Sequence, residues 1–192
     1  MIQEMREILR GKTVGIAGCG GLGSNAAVAL ARAGIGSLII ADFDIVEESN
    51  LDRQYYFRDD IGKFKVDALA KHLKNINPAV DVISHNIELT QENVPKIFGD
   101  ADILIEAFDE ANSKKWLIEI WTKLFPEKPI ICGNGIAGYG NTNKLKVIRM
   151  GKIYFCGDNE TDSSIGLCSA RVAIVANMQA NVAIEILMEQ DK

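Results

Sequence analysis

From about Thr13 to Asn134 the chain alternates short apolar runs with longer segments whose apolar positions recur at helical spacing. That alternation predicts an α/β fold, a Rossmann-like and mostly parallel sheet with helices on both faces. The first unit is the clearest: a strand over 13–17, a glycine loop, a helix over 23–33 that stops at Gly34 and Gly36, and a strand over 37–41. A strand, helix and parallel strand in that order make a right-handed crossover. The pattern then gives a helix over 63–75 that stops before Pro78, a strand over 81–86, a helix near 91–98 and a strand over 103–107. A helix over 111–124, a strand over 130–132, an antiparallel pair (144–150 with 153–156) and a last helix over about 167–189 follow. Residues 42–60 are too charged and too aperiodic for a regular element, and an irregular stretch of that length usually serves function.

Length and composition narrow the class. At 192 residues the chain has the size of one domain, 1–192, able to bury most of its apolar surface in one core. A net charge of −5 argues against a nucleic-acid footprint, which concentrates Lys and Arg on one face. Apolar runs such as 103–105 and 172–176 fall far short of a membrane span, and the first twelve residues carry scattered charge and no signal-peptide core, so a cytoplasmic protein is expected. The four cysteines form no CxxC pair and have no histidine at zinc spacing, so reduced thiols and no zinc are expected.

The candidate chemistry begins at residues 18–25, GCGGLGSN, where strand turns into helix. Gly18, Gly20 and Gly23 satisfy GxGxxG in the context that motif needs. Gly18 permits the tight turn, Gly20 lets the backbone approach a phosphate, and Gly23 lets the helix pack on the strand. The helix N-terminus offers free N–H groups and a positive dipole end to an anion, with Ser24 and Asn25 beside it. Asp42, nineteen residues after Gly23, stands where an acid accepts ribose hydroxyls. To this point the pyrophosphate of a dinucleotide and the triphosphate of ATP fit equally. Asn50, Arg53 and Gln54, just beyond the ribose acid, favour ATP, because a guanidinium and an amide there can meet the β- and γ-phosphates; Lys65 adds a second cation.

GCGGLGSN, DFDIVEESNLDRQ, GKFKVDALAKHLKNINPAV and LIEAFDEANSK together resemble the ThiF/MoeB/HesA family, bacterial relatives of ubiquitin-activating enzymes, over residues 18–114. MQANVAIEIL in the last helix adds a weaker match. The chain is most similar to the short, divergent group of ThiF proteins of thiamine biosynthesis. The resemblance implies adenylylation of the C-terminal glycine carboxylate of a ubiquitin-like, ThiS-like sulfur carrier, with Mg·ATP as co-substrate, pyrophosphate as product and a homodimer as the assembly. It also implies alternatives that share the nucleotide site: activation of another carrier, a small molecule or a tRNA-linked carboxylate. A nicotinamide-dependent oxidoreductase is the reading from a different class. Carried over by position, Gly21 is the loop glycine at the nucleotide, Asp42 the ribose ligand, and Asn50, Arg53 and Gln54 the phosphate segment. Lys65 then reaches the phosphates and Asp109 holds Mg²⁺. Asp109 also has a plain reading as the residue that opens the helix at Ala111. Asp44 is read as structural, orienting Arg53. The attacking carboxylate is ionised near neutral pH, so catalysis needs alignment and charge neutralisation and no general base.

The chain departs from the family's pattern in places. The longer members' two zinc-binding CxxC pairs are missing. The family's arginine from the partner's N-terminal segment has only Arg6 or Arg10 as counterparts, which read equally as plain surface charges. The usual Asp-Asn pair is Asp109-Glu110. Cys168, just past the loop 157–166, is at the N-terminus of the last helix, where a thiolate would be favoured, but packing is the reading preferred. Cys19 and Cys132 read as fillers, Cys156 stays open, and the loop either covers a carrier tail or merely connects. His72 and His85 read as surface or core residues.

Overall fold

The computed structural model describes residues 1–189. A short helix, α1 (Ile2–Leu9), precedes β1 (Thr13–Ala17), α2 (Gly21–Ala33) and β2 (Ser37–Asp42). The irregular 42–60 segment contains two 3₁₀ turns, Glu48–Asn50 and Arg58–Asp60, and leads to α3 (Lys65–Ile76) and β3 (Asp81–Asn86). After them come α4 (Val94–Phe98), β4 (Ile103–Glu106), α5 (Ala111–Leu124), β5 (Ile130–Gly133), β6 (Lys146–Met150), β7 (Ile153–Gly157) and α6 (Ser169–Glu189). Every predicted element is present; β1, β3 and α5 have the predicted ends, and the others shift by one to three residues. The largest shift is at α4, shortened to Val94–Phe98 because Thr90–Asn93 fold into a hydrogen-bonded turn ahead of it.

The seven strands form one sheet in the order β3-β2-β1-β4-β5-β7-β6, parallel except for the β6–β7 pair. The chain winds outward from β1 to β3, then crosses to β4 on the other side of β1. That reversal puts the topological switch point between β1 and β4, and ligands of open α/β sheets bind in the crevice outside the carboxyl ends of the strands there.

Strand alternation divides the core between the two faces. Leu38 and Ile40 join the side covered by α2, α3 and α6, while Ile39 and Ala41 join the side covered by α4 and α5 around Phe98 and Trp121. A period of two delivers successive side chains to opposite faces, so a run such as LIIA must be apolar throughout. α6 packs on α2, with buried Ala176, Ala180 and Ala183 at helical spacing on a stripe that lets the backbones approach. By length and composition alone α6 could cross a bilayer, yet half of its apolar window is buried in the protein. The buried Arg171 and Gln179 it carries have polar work inside the fold.

Candidate nucleotide site

At the switch point the chain turns from β1 into α2 through residues 18–20. Gly18 has φ +98°, and a side chain there would lie 2.9 Å from the carbonyl oxygen of Ala107, so the turn after β4 packs directly on the loop. A methyl group on Gly23 would fall 1.9 Å from the Gly18 carbonyl oxygen. Gly23 therefore closes the loop from behind and does not line the cavity. Gly23→Ala is accordingly expected to displace the loop, lowering both thermal stability and nucleotide affinity in calorimetry. The helix begins at Gly21, two residues earlier than the periodicity predicts, with Gly20 as its N-cap. Gly18, Gly20 and Gly21 all face a cavity of about 440 Å³.

Asp42 ends β2 beside the loop. Its two carboxylate oxygens accept N–H groups from Cys19 at 2.6 Å and Asp44 at 2.8 Å. Burial pushes this carboxyl up, opposed by those two donors and by Lys65. Ser24 and Asn25, read from the sequence as neighbours of the anion, turn the other way. Ser24 Oγ donates to the Gly20 carbonyl and accepts from Tyr55 N–H, while Asn25 Nδ2 donates to the carbonyls of Gly21 and Arg53. The first turn of α2 thus staples the 53–55 backbone to the glycine loop. Tyr56, which no sequence motif marks, completes the fastening: its buried hydroxyl donates to the Cys19 carbonyl at 2.7 Å and lies 3.3 Å from the Lys65 carbonyl.

Those contacts bring Arg53, Gln54 and Lys65 to the cavity wall with Asp42 and the glycines. Arg53 Nη1 donates to Asp52 at 2.7 Å and to the Ser49 carbonyl at 2.9 Å, leaving the rest of the fork unengaged by these two bonds. Lys65 is buried along its stem and meets Asp44 at 2.7 Å. Asp44 therefore pairs with Lys65 and not with Arg53, a correction that follows from the Asp44 carbonyl capping Lys65 N–H and setting the two residues side by side. Gln54 Oε1 is buried without a protein partner, an orphaned acceptor on the cavity wall. Asn50 stays behind the wall: its Oδ1 accepts Glu47 N–H at 3.0 Å and closes the first 3₁₀ turn.

Asp109 is exposed, faces the cavity, and follows the buried end of β4. The helix N-cap is Glu110, without a capping bond, so the role of opening α5 does not fall to Asp109. Glu110 accepts a hydrogen bond from Ser113 Oγ at 3.0 Å. Among the described residues no three His, Cys, Asp or Glu side chains converge as a metal cage. One carboxylate at the mouth of a phosphate-binding loop nevertheless suits Mg²⁺, which takes one or two carboxylates plus phosphate oxygens and water. Phe43, Ile87, Leu89 and Trp116 also line the cavity and give it apolar surface that suits the planar face of a base.

The remaining candidates lie elsewhere. Arg6 packs over Gly34 at the far end of α2, and the Arg10 carbonyl lies against Gly36. Thirteen helical residues at about 1.5 Å each separate that end from the loop, so neither arginine reaches the cavity of its own chain. Cys19, Cys132 and Cys156 are buried; burial pushes the first two thiols up and the third to about 12. Cys168 is half-buried just ahead of α6, next to Leu167 of the cavity wall. His72 hydrogen-bonds Asp60 at 2.6 Å under Tyr55 and Phe57, and His85 lies on the edge strand β3; neither lines the cavity.

Residues 1–192 match the model of the ThiF family. The chain belongs to the ThiF family. Among its relatives, "Adenylyltransferase and sulfurtransferase uba4" of Aspergillus clavatus is 37% identical over 133 residues, covering 69% of this chain and 27% of that protein. "Adenylyltransferase and sulfurtransferase MOCS3" of Aedes aegypti is 33% identical over 129 residues, or 67% of this chain and 29% of that protein. The ThiF-family chain thus spans less than a third of the length of these curated relatives. Its fold matches E. coli TcdA, a tRNA N6-threonylcarbamoyladenosine dehydratase solved with AMP, at TM-score 0.88 and 22% identity over 98% of this chain and 90% of that one. E. coli MccB with ATP matches at TM-score 0.73 and 21% identity, covering 95% and 57%.

Proposed function

We propose that this ThiF-family chain adenylylates a carboxylate with ATP. The observation that carries the reading is one cavity in which Gly18, Gly20 and Gly21 meet Asp42, Arg53, Lys65 and Asp109. A dinucleotide dehydrogenase needs the loop and the acid but not two cations and a further carboxylate around the phosphates. In the reaction a carboxylate oxygen bonds to the α-phosphorus, the bond from that phosphorus to its bridging oxygen breaks, and pyrophosphate departs with the electron pair. The glycine-loop N–H groups and the α2 N-terminus hold the phosphates, Asp42 accepts the ribose hydroxyls, and Arg53 and Lys65 neutralise charge that grows on the leaving pyrophosphate. Mg²⁺, held by Asp109, would supply further neutralisation there.

The substrate proposed first is the C-terminal glycine of a small ubiquitin-like carrier, as the motif resemblance implies and as the adenylyltransferase and sulfurtransferase names of the relatives support in kind. None of these relatives is named for thiamine synthesis, so they fit the broader alternative, another carrier or a tRNA-linked carboxylate, better than a ThiS-specific role. The extent of the TcdA match favours the tRNA variant, but Asp44, Glu88, Asp109 and Glu110 at the cavity and the net charge of −5 make a poor mouth for a polyanion. A homodimer and a cytoplasmic setting belong to the same proposal.

ATP–pyrophosphate exchange with purified protein separates these readings. Exchange stimulated by carriers ending in Gly-Gly supports the first, exchange stimulated only by modified tRNA supports the second, and absence of both with tight NADH binding overturns adenylylation. Asp109→Ala should raise the Mg²⁺ concentration needed for half-maximal exchange and lower its rate by about a hundredfold; an unchanged Mg²⁺ profile removes Asp109 from the metal position.

A further inference from the structure

Glu106 is wholly buried at the carboxyl end of β4, an unusual place for a carboxylate. Lys114, from the first turns of α5, reaches both its oxygens at 3.0 and 2.9 Å and also donates to the Gly133 carbonyl at 3.2 Å, at the end of β5. The same carboxylate accepts Phe108 N–H at 2.6 Å. Gln179 of α6 donates to the Glu106 and Ile131 carbonyls at 3.0 and 3.2 Å, joining β4 to β5 from the other face. Ala107, between them, donates to the Ala17 carbonyl at 2.9 Å, and its own carbonyl fills the space that a side chain on Gly18 would take.

We infer that Glu106 and Lys114 are positioning residues that lock the 106–109 turn against the glycine loop, so that the Asp109 carboxylate stands at a fixed place beside the nucleotide phosphates. The inference rests on the adenylylation reading. Stability alone is a weak reason for such a pair, since apolar residues of similar volume often serve as well or better. What an apolar pair cannot do is accept the Phe108 N–H, and that bond lies one residue before Asp109. The turn is pinned on one side by the carboxylate and on the other by the loop it serves.

The double variant Glu106→Leu/Lys114→Met removes both charges and the acceptor of the Phe108 N–H at similar volume, and so avoids the lone buried carboxylate that Lys114→Met would leave. Hydrogen exchange at the Phe108 amide should quicken by about tenfold in the folded double variant, and the Mg²⁺ half-saturation for ATP binding and exchange should rise by about tenfold with a smaller change in KM for ATP. Lys114→Arg alone, which keeps the charge and at least two donors toward Glu106, should leave both as in the wild type. A merely structural pair would lower the melting temperature and leave the Mg²⁺ profile where it was. Unchanged Phe108 exchange overturns the inference, as does an unchanged Mg²⁺ profile in a folded variant. Failure of the wild-type protein to bind Mg·ATP in calorimetry would instead overturn the adenylylation reading, and the amide exchange would still decide whether the clamp exists.

Discussion

Lys65→Ala and Arg53→Ala are each expected to cut ATP–pyrophosphate exchange by about a hundred- to a thousandfold while the protein stays folded. Both cations line the cavity, each leaning on a carboxylate that the solvent also reaches: Lys65 on Asp44, whose side chain is half exposed, and Arg53 on Asp52, more exposed still. Exposed partners of this kind contribute little to stability, so truncating either cation leaves no carboxylate stranded in the core. Alanine also suits the first position of α3, where Lys65 stands. The loss therefore falls on the step in which charge moves to the departing pyrophosphate. Exchange assays with circular dichroism as the control check this. Full exchange in both variants would remove the cations from the site.

The part of the site that could be read in the sequence was the part built from local signals. Periodicity located β1, α2 and β2, and the glycine spacing between them needs no distant contact to be meaningful. The motifs mark Asp42, Arg53, Gln54, Lys65 and Asp109 as candidates, and the fold brings all five to one cavity. Gly23 and Asn50 belong to the same motifs but stand behind the wall, because one closes the loop by backbone contact and the other closes a 3₁₀ turn. Nothing local distinguishes a polar residue that faces a ligand from one that ties two backbones together.

The fastenings were illegible for the same reason. Tyr56 bonds across 37 positions to Cys19, and Gln179 bonds across 73 to Glu106. Lys114 reads as one more charge on an amphipathic helix until the fold aims it at a carboxylate buried in β4. Long-range pairing of this kind has no periodic signature, and an apolar helix conceals it further. In α6 both Arg171 and Gln179 are surrounded by residues that pattern as core, so nothing in the local pattern marks either as a polar fastening.

Arg171→Ala should cost about 3–5 kcal/mol of stability, the usual result of stranding one member of a buried ion pair. Arg171 lies in the first turn of α6, where the helix dipole disfavours a cation, so its place there depends on its partners. One arm donates to the Gly140 carbonyl at 2.7 Å and the other meets the buried carboxylate of Asp158. Asp158 in turn holds the N–H groups of Glu160 and Thr161 at 2.9 Å and the Thr161 hydroxyl. A single guanidinium thus joins the segment after β5 to the segment after β7, and Ile136 and Leu167 of these same segments line the cavity. Burial raises the Asp158 carboxyl, but the Thr161 hydroxyl, the two N–H donors and Arg171 outweigh it and hold the group down at about 2. Because this pKa is depressed by folding, the contribution is complete above the ordinary aspartate range and disappears as pH falls through about 2. Urea unfolding should therefore show the full deficit of Arg171→Ala near neutral pH, and Asp158→Asn should converge on wild type only in strong acid. The paired replacement Arg171→Met/Asp158→Asn should recover part of the stability while raising KM for ATP, since it removes the stranded charge but not the freedom of the two segments. Recovery of both stability and KM would show that the pair stabilises the protein without shaping the cavity.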